Sequence, residues 1–119
     1  MALVYAAAGG TTAALLTNSP RTVLVGPATL WGWDLFNGAA ATTWVQVFDA
    51  LAASVTLGTT PPKYAFPVAA GASLLRDYGI FGVGCSTGLV VAATTTPTGS
   101  TAPATGLTAM VLYSAGGSR

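Results

Sequence analysis

The pattern of apolar and polar positions changes at Arg21. From there on, apolar, β-branched and aromatic residues occur in runs of four to nine residues that are separated by Gly, Pro, Asn and Thr. Runs of this length and composition, bounded by turn-forming residues, are typical of β-strands. Eight strands are predicted, over residues 22–25, 29–36, 42–50, 63–68, 73–78, 80–84, 89–95 and 107–113. The pattern predicts an all-β fold, an antiparallel β-sandwich of jelly-roll-like type.

Residues 1–20 have a different pattern, because Gly-Gly, Thr-Thr and Asn-Ser-Pro interrupt the apolar runs. The stretch TAALLT is too short to form a stable helix by itself in water. We therefore expect an extended N-terminal arm over residues 1–20 and a single sandwich domain over residues 21–119. Leu15 and Leu16 are the arm residues expected to contact a neighbouring subunit. The start of the chain lacks the features of a secretory signal, so we expect action without export through a signal peptide.

The stretch LWGWDLFNG, residues 30–38, carries large side chains on both faces of its strand. Strict alternation puts Trp31, Trp33 and Leu35 on one face and Leu30, Gly32, Asp34 and Phe36 on the other. One face is expected to pack inside the sandwich, and neighbouring aromatic residues to meet another subunit. The core candidates of the whole chain are Trp33, Leu35, Val45, Val47, Leu89 and Val91.

The stretch TTWVQVFDA, residues 42–50, is apolar on both faces as well. Val45 and Val47 alternate with Trp44, Gln46 and Phe48, so one bulky face remains whichever face lies in the core. Contiguous apolar patches on soluble proteins usually mark interfaces. The expected interface residues are Trp44, Gln46, Phe48, Trp31, Leu15 and Leu16.

Charged residues are few, at 6% of 119 residues with a net charge of +1. Four scattered cations cannot supply the many phosphate contacts of a nucleic-acid site. The mean hydropathy of +0.65 is high, but Gly and Thr interrupt every apolar run before it reaches the length of a membrane-spanning helix. We therefore expect no nucleic-acid partner and no membrane partner.

Catalytic chemistry has few residues to draw on. The chain has no histidine and no glutamate, so the usual nucleophile pairs and zinc sites are excluded. Asp34 and Asp49 could face one sugar as a glycosidase pair, but a carboxylate at the end of a strand, as at Asp49, commonly binds turn amides. The lone Cys85 is expected to be a structural thiol. We expect no enzyme, no metal and no cofactor.

A second binding hypothesis rests on aromatic residues. Trp31, Trp33, Trp44 and Tyr64 could together form a platform on which sugars stack, whereas the alternative is that these rings are buried in the core. The Thr/Pro/Gly-rich stretch over residues 96–106 is expected to be a loop that faces a partner.

The order of motifs over about residues 24–113 resembles that of small all-β structural proteins of tailed bacteriophages. Four elements carry the resemblance: a G-W-x-L-x-N opening, a strand ending in Asp, a T-x-P turn before a strand closing in P-x-x-G, and a G-x-x-x-S-T-G-L element. Here they are Gly32, Trp33, Leu35 and Asn37; Val45, Val47 and Asp49; Pro61, Pro67 and Gly71; and Gly82, Ser86, Thr87, Gly88 and Leu89.

The resemblance implies a jelly-roll-like virion protein of the capsid decoration or cement type. Such a protein is made in the host cytoplasm, binds the outside of the phage head and ties subunits of the major capsid protein together, commonly as a homotrimer. The alternatives are a tail or head-fibre module that binds a host glycan or receptor, and a cellular carbohydrate-binding module.

Overall fold

The computed structural model describes residues 15–116 and, for the backbone, the strand over residues 3–7. Nine strands and one 3₁₀ helix, Ala52–Ser54, are formed in this part of the chain. The strands are β1 (Leu3–Ala7), β2 (Arg21–Val25), β3 (Ala28–Phe36), β4 (Thr43–Asp49), β5 (Tyr64–Val68), β6 (Ser73–Asp77), β7 (Val83–Cys85), β8 (Gly88–Thr94) and β9 (Thr108–Ala115).

The strands form two antiparallel sheets that pack as a sandwich. Sheet I has the order β1-β9-β3-β6, with β7 also paired to β3, and sheet II has the order β2-β8-β4-β5. The chain crosses between the sheets at most connections, and this strand order is that of a jelly roll. The predicted all-β, jelly-roll-like sandwich is thus confirmed. Within the described residues, no helix has the length and apolar character needed to cross a membrane.

Each of the eight predicted strands corresponds to an observed one, although β7 begins later than predicted. Gly79 and Gly82 have φ angles of 74° and 64° and turn the chain, so pairing starts at Val83. Glycine adopts such left-handed angles without steric cost.

The arm predicted over residues 1–20 is corrected where the structure describes it. Strand β1 pairs along its whole length with β9, from Leu3 opposite Ser114 to Ala7 opposite Met110. Leu16 is fully buried. Its backbone N–H donates to the Leu107 carbonyl and its carbonyl accepts from the Leu107 N–H, each at 2.8 Å. This segment therefore contributes an edge strand and a core residue, because it completes sheet I and fills the space beside β9.

The core lies between the sheets, and the structure places all six core candidates in it. Their exposures are 1% for Trp33 and Leu35 and 0% for Val45, Val47, Leu89 and Val91. The predicted alternation along β3 is wrong, however. The register against β9 shifts between Leu30 and Gly32, so Leu30 and Trp33 both point into the core while Trp31 lies outside it. A β-bulge has this effect because one extra residue reverses the alternation that follows.

The chain's own loops cover the outer face of sheet II around Phe48 and Gln46, so the interface predicted for these two residues is wrong. Phe48 is 1% exposed and packs with Val55 and Val90 under the β4–β5 loop. Gln46 is fully buried, and its amide donates to Thr94 Oγ1 at 2.7 Å and to the Gly99 carbonyl at 3.0 Å. Leu16 is corrected in the same way, since its burial in the core leaves nothing for a partner to contact. Leu15 is 38% exposed, and Trp44 is half-buried.

One buried amide joins two loops at the end of the sandwich. Asn37 Nδ2 donates to the carbonyls of Ala41 and Val68, each at 2.9 Å, and to that of Ala69 at 3.3 Å. Its Oδ1 accepts from the Ala39 N–H at 3.0 Å and from the Thr43 hydroxyl at 3.3 Å. The β3–β4 loop is thereby tied to the end of β5.

Candidate functional site

The outer face of sheet I is open, in contrast to that of sheet II. Three large apolar side chains are strongly exposed here. Leu75, on β6, is 80% exposed, and Ile80 and Phe81, in the turn that follows β6, are 83% and 70% exposed. We call this surface the open face and define it by the outward residues of β3, β6 and β9 with that turn. Its residues are Trp31, Asp34, Phe36, Leu75, Asp77, Ile80, Phe81, Met110 and Leu112.

A groove of about 310 Å³ crosses the open face. Trp31, Leu75, Asp77 and Leu112 are among the residues that line it, and Gly32 lies between them. A Cβ on Gly32 would lie 2.6 Å from the Arg76 carbonyl oxygen, so glycine allows β3 and β6 to approach here. The groove is therefore built by the bulge in β3, which places Trp31 outside the core.

Trp31 is held in place by its neighbours. Its indole Nε1 donates to Ser114 Oγ at 2.9 Å, and its carbonyl accepts from the Tyr78 N–H at 3.0 Å. On the other side of the ring, a Cβ on Gly82 would lie 3.1 Å from Trp31 Cε3 and 2.6 Å from Thr29 Cγ2. The indole is thus a fixed, half-buried wall of the groove, and its N–H is already used.

The carboxylates of the open face have no cationic partner in the described chain. Asp34 is exposed on β3, and Asp77 accepts one hydrogen bond from the Gly79 N–H at 2.8 Å. Neither carboxylate forms an ion pair within residues 15–116. A partner that covers one of these carboxylates would have to supply a group that satisfies its negative charge.

Asp49 has a structural role, as its position at the end of a strand predicts. Its carboxylate accepts from the backbone N–H groups of Ser86, Thr87 and Gly88 at 3.0, 2.8 and 3.3 Å, and from the Ser86 hydroxyl at 3.2 Å. Partial burial acts to raise the pKa of Asp49, but these hydrogen bonds outweigh it and hold the pKa below its usual value. Asp34 points outward from sheet I while Asp49 ends a strand of sheet II, so the two cannot face one sugar.

The four aromatic residues of the hypothetical sugar platform are separated. Trp33 is buried in the core, and Tyr64 stacks on Phe66 with ring centroids 5.9 Å apart. Trp44 lies on β4 of sheet II, and Trp31 lies in the groove of sheet I. A single stacking surface made of all four residues is therefore excluded by the fold.

A polar and aromatic cluster closes the sandwich between β5 and β6. The Arg76 guanidinium lies over the Phe66 ring, 4.6 Å from its centroid, and the hydroxyls of Tyr64 and Tyr78 are hydrogen-bonded to each other. Burial raises the pKa of both tyrosines, and the neighbouring Tyr78 adds to the effect on Tyr64. Cys85 is also buried, which raises its pKa to about 11 and gives the structural thiol that the sequence predicts.

Several hydrogen bonds attach the loop over residues 96–106 to its own domain, and they include those from Gln46 and Thr94 to the Thr96 carbonyl. Besides the bond from Gln46 to Gly99, the Asn18 amide donates to the Ser100 carbonyl at 3.1 Å. Within residues 15–116, no cluster of three or more metal-ligating side chains is formed.

Sequence reasoning missed Leu75, Ile80 and Phe81. The signal was present in SLLRDYGIF: alternation puts Leu75 on the face opposite Leu74, and two apolar residues follow Gly79 within a turn. Apolar residues in a turn do not belong to the core-facing side of a strand, so their presence there indicates that they are exposed.

The motif residues on which the expected resemblance rests have structural roles in this chain. Asn37 joins two loops, Asp49 binds the amides of Ser86–Gly88, and Gly82 makes room for Trp31. Comparisons with protein-family models, with curated proteins and with solved structures give no match.

Proposed function

We propose that this chain is a structural virion protein, a capsid decoration or cement protein that binds the outside of a phage head and stabilises the lattice of the major capsid protein. The observation that supports the proposal is the open face. Its exposed Leu75, Ile80 and Phe81 form an apolar surface on a molecule with few charges, whereas loops cover the other sheet around Gln46 and Phe48. Such a surface is characteristic of a protein that functions within an assembly.

The proposed protein is a homo-oligomer, a trimer, and uses no catalytic residue or cofactor. Contacts that form only on the assembled lattice stabilise that lattice by linkage, because they are absent when the lattice dissociates. The jelly-roll-like strand order agrees with this role, since viral capsid domains use this architecture, although lectins use it as well.

A glycan- or receptor-binding module of a tail or head fibre is the second candidate. The observation that favours it is the groove beside the fixed ring of Trp31, with the Asp77 carboxylate at its edge. A half-buried indole next to a hydrogen-bond acceptor is a common arrangement for sugar stacking.

Sedimentation with empty expanded capsids of the encoding phage distinguishes the two functions. The cement proposal expects saturable binding that excess free sugar leaves unchanged. A chain that stays in the supernatant but is retained by immobilised glycans would replace the cement proposal with the second candidate.

A further inference from the structure

The exposed charges of the described chain segregate onto different surfaces. Asp34 and Asp77 lie on the open face without an ion pair in residues 15–116. Arg21 is exposed at the start of β2, in the other sheet, and likewise forms no ion pair within those residues. Lys63 is close to the Asp49 end of the sandwich, since both charges act on the Cys85 thiol. The negative open face thus has a cationic counterpart on β2.

Strand β2 also carries an exposed apolar side chain that complements the apolar groove of the open face. Val25, at its other end, is 69% exposed. β2 is the edge strand of sheet II and pairs with β8 on one side, so its other side presents unpaired backbone groups. An edge strand with an exposed cation and an exposed apolar side chain matches an open face with a carboxylate and an apolar groove.

We propose that the open face of one copy of this chain binds the β2 edge of a second copy. Val25 of the second copy packs into the groove between Trp31 and Leu75, and Arg21 pairs with Asp77. The groove volume of about 310 Å³ exceeds that of a valine side chain, so neighbouring atoms of β2 enter with it. The contact joins two different surfaces and is therefore head-to-tail, which closes into a ring when the rotation allows it.

A symmetric pairing of two open faces is disfavoured by charge. It would place Asp34 and Asp77 of both copies against each other, and like charges across an interface oppose binding. Arg76 also lines the groove, but its guanidinium lies over the Phe66 ring and forms no ion pair with either carboxylate within residues 15–116. A glycan is also less suited to the groove, because the Trp31 N–H is already donated to Ser114 and sugars need several polar side chains for orientation.

The inference rests on the homo-oligomer of the proposed function and does not depend on the capsid lattice. Light scattering on the purified full chain, over a concentration series, tests it directly. We expect a mass above the 11.8 kDa of the monomer, with association weakened between about 50 mM and 500 mM NaCl as the ion pair is screened.

Variants separate the apolar and charged parts of the contact. Leu75→Ala is expected to raise the concentration at half-association by about tenfold or more, as expected for a central anchor. Leu51→Ala is the matched control, because Leu51 is 42% exposed but lies in the loop over sheet II. It should leave that concentration unchanged, and circular dichroism checks that both variants are folded.

A charge swap tests the pairing of Asp77 with Arg21. Asp77→Lys and Arg21→Asp should each weaken association, and the double variant should restore it because the pair is reversed. Any one of four results would overturn the inference. The wild-type chain could be a monomer at every concentration, or Leu75→Ala and Asp77→Lys could leave association unchanged. The double variant could stay dissociated, or a panel of monosaccharides could dissociate the oligomer. A wild-type monomer that still sediments with capsids would overturn the inference and the proposed trimer, and would leave capsid binding as the proposed function.

Discussion

Replacing Asn37 with alanine should destabilise the fold more than its small volume suggests. Asn37 is fully buried, and its side chain makes three hydrogen bonds of 3.0 Å or shorter, to the Ala41 and Val68 carbonyls and the Ala39 N–H. Each such bond contributes about 1 kcal/mol net, and a buried partner that loses its bond costs about 1 to 3 kcal/mol. The expected loss in free energy of unfolding is about 3 kcal/mol, a large part of the roughly 5 to 15 kcal/mol typical of a domain.

Urea unfolding followed by tryptophan fluorescence and circular dichroism measures this loss. The midpoint should fall while the dependence on denaturant stays constant, since the surface exposed on unfolding is nearly unchanged. Asn18→Ala is the matched control: Asn18 is exposed and donates one hydrogen bond to Ser100, so its effect should stay within about 0.5 kcal/mol. An Asn37→Ala variant as stable as Asn18→Ala would refute the role of Asn37 in joining the two loops.

Three further predictions concern the N-terminal segment, the Asp49 carboxylate and the turn beside Trp31. Leu16→Ala should lower the free energy of unfolding by about 2 to 5 kcal/mol, measured by heat or urea, because Leu16 lies in the core. Leu15→Ala should lower it far less, because Leu15 is 38% exposed, and equal effects would contradict the observed packing. Asp49→Asn should cost about 1 to 2 kcal/mol at neutral pH. Because folding lowers the pKa of Asp49, the extra stability of the wild type over Asp49→Asn should begin to fall as the pH drops towards the ordinary pKa of 3.8, and it should vanish below the folded pKa. A stability difference that persists in stronger acid would argue against stabilisation by the charged carboxylate. Gly82→Ala should destabilise by about 1 to 2 kcal/mol and shift tryptophan emission, since φ is 64° and the new Cβ meets Thr29; an unchanged spectrum and stability would show that the turn can adjust.

The sequence by itself determined the strands and most of the core. Alternating apolar residues bounded by Gly, Pro and Thr identify eight strands, because a strand's side chains alternate between faces and turns require particular residues. The role of Asp49 was also predictable, since a carboxylate at a strand end meets the amides of a neighbouring turn. β1 was not predicted, because LVYAA is short and Ala-rich, and its pairing depends on the distant β9.

Tertiary structure alone decided which faces are covered. Gln46 and Phe48 look like interface residues in the sequence, but each is covered by a loop that lies over sheet II only in the folded state. The loop over Phe48 directly follows β4, whereas the loop bonded to Gln46 lies about 50 residues further along the chain. The bulge that places Trp31 outside the core depends on the register between β3 and β9, which a single strand does not encode. The open face exists because both long loops fold over sheet II and leave Leu75 on sheet I uncovered, an outcome of the three-dimensional arrangement of the loops rather than of local pattern.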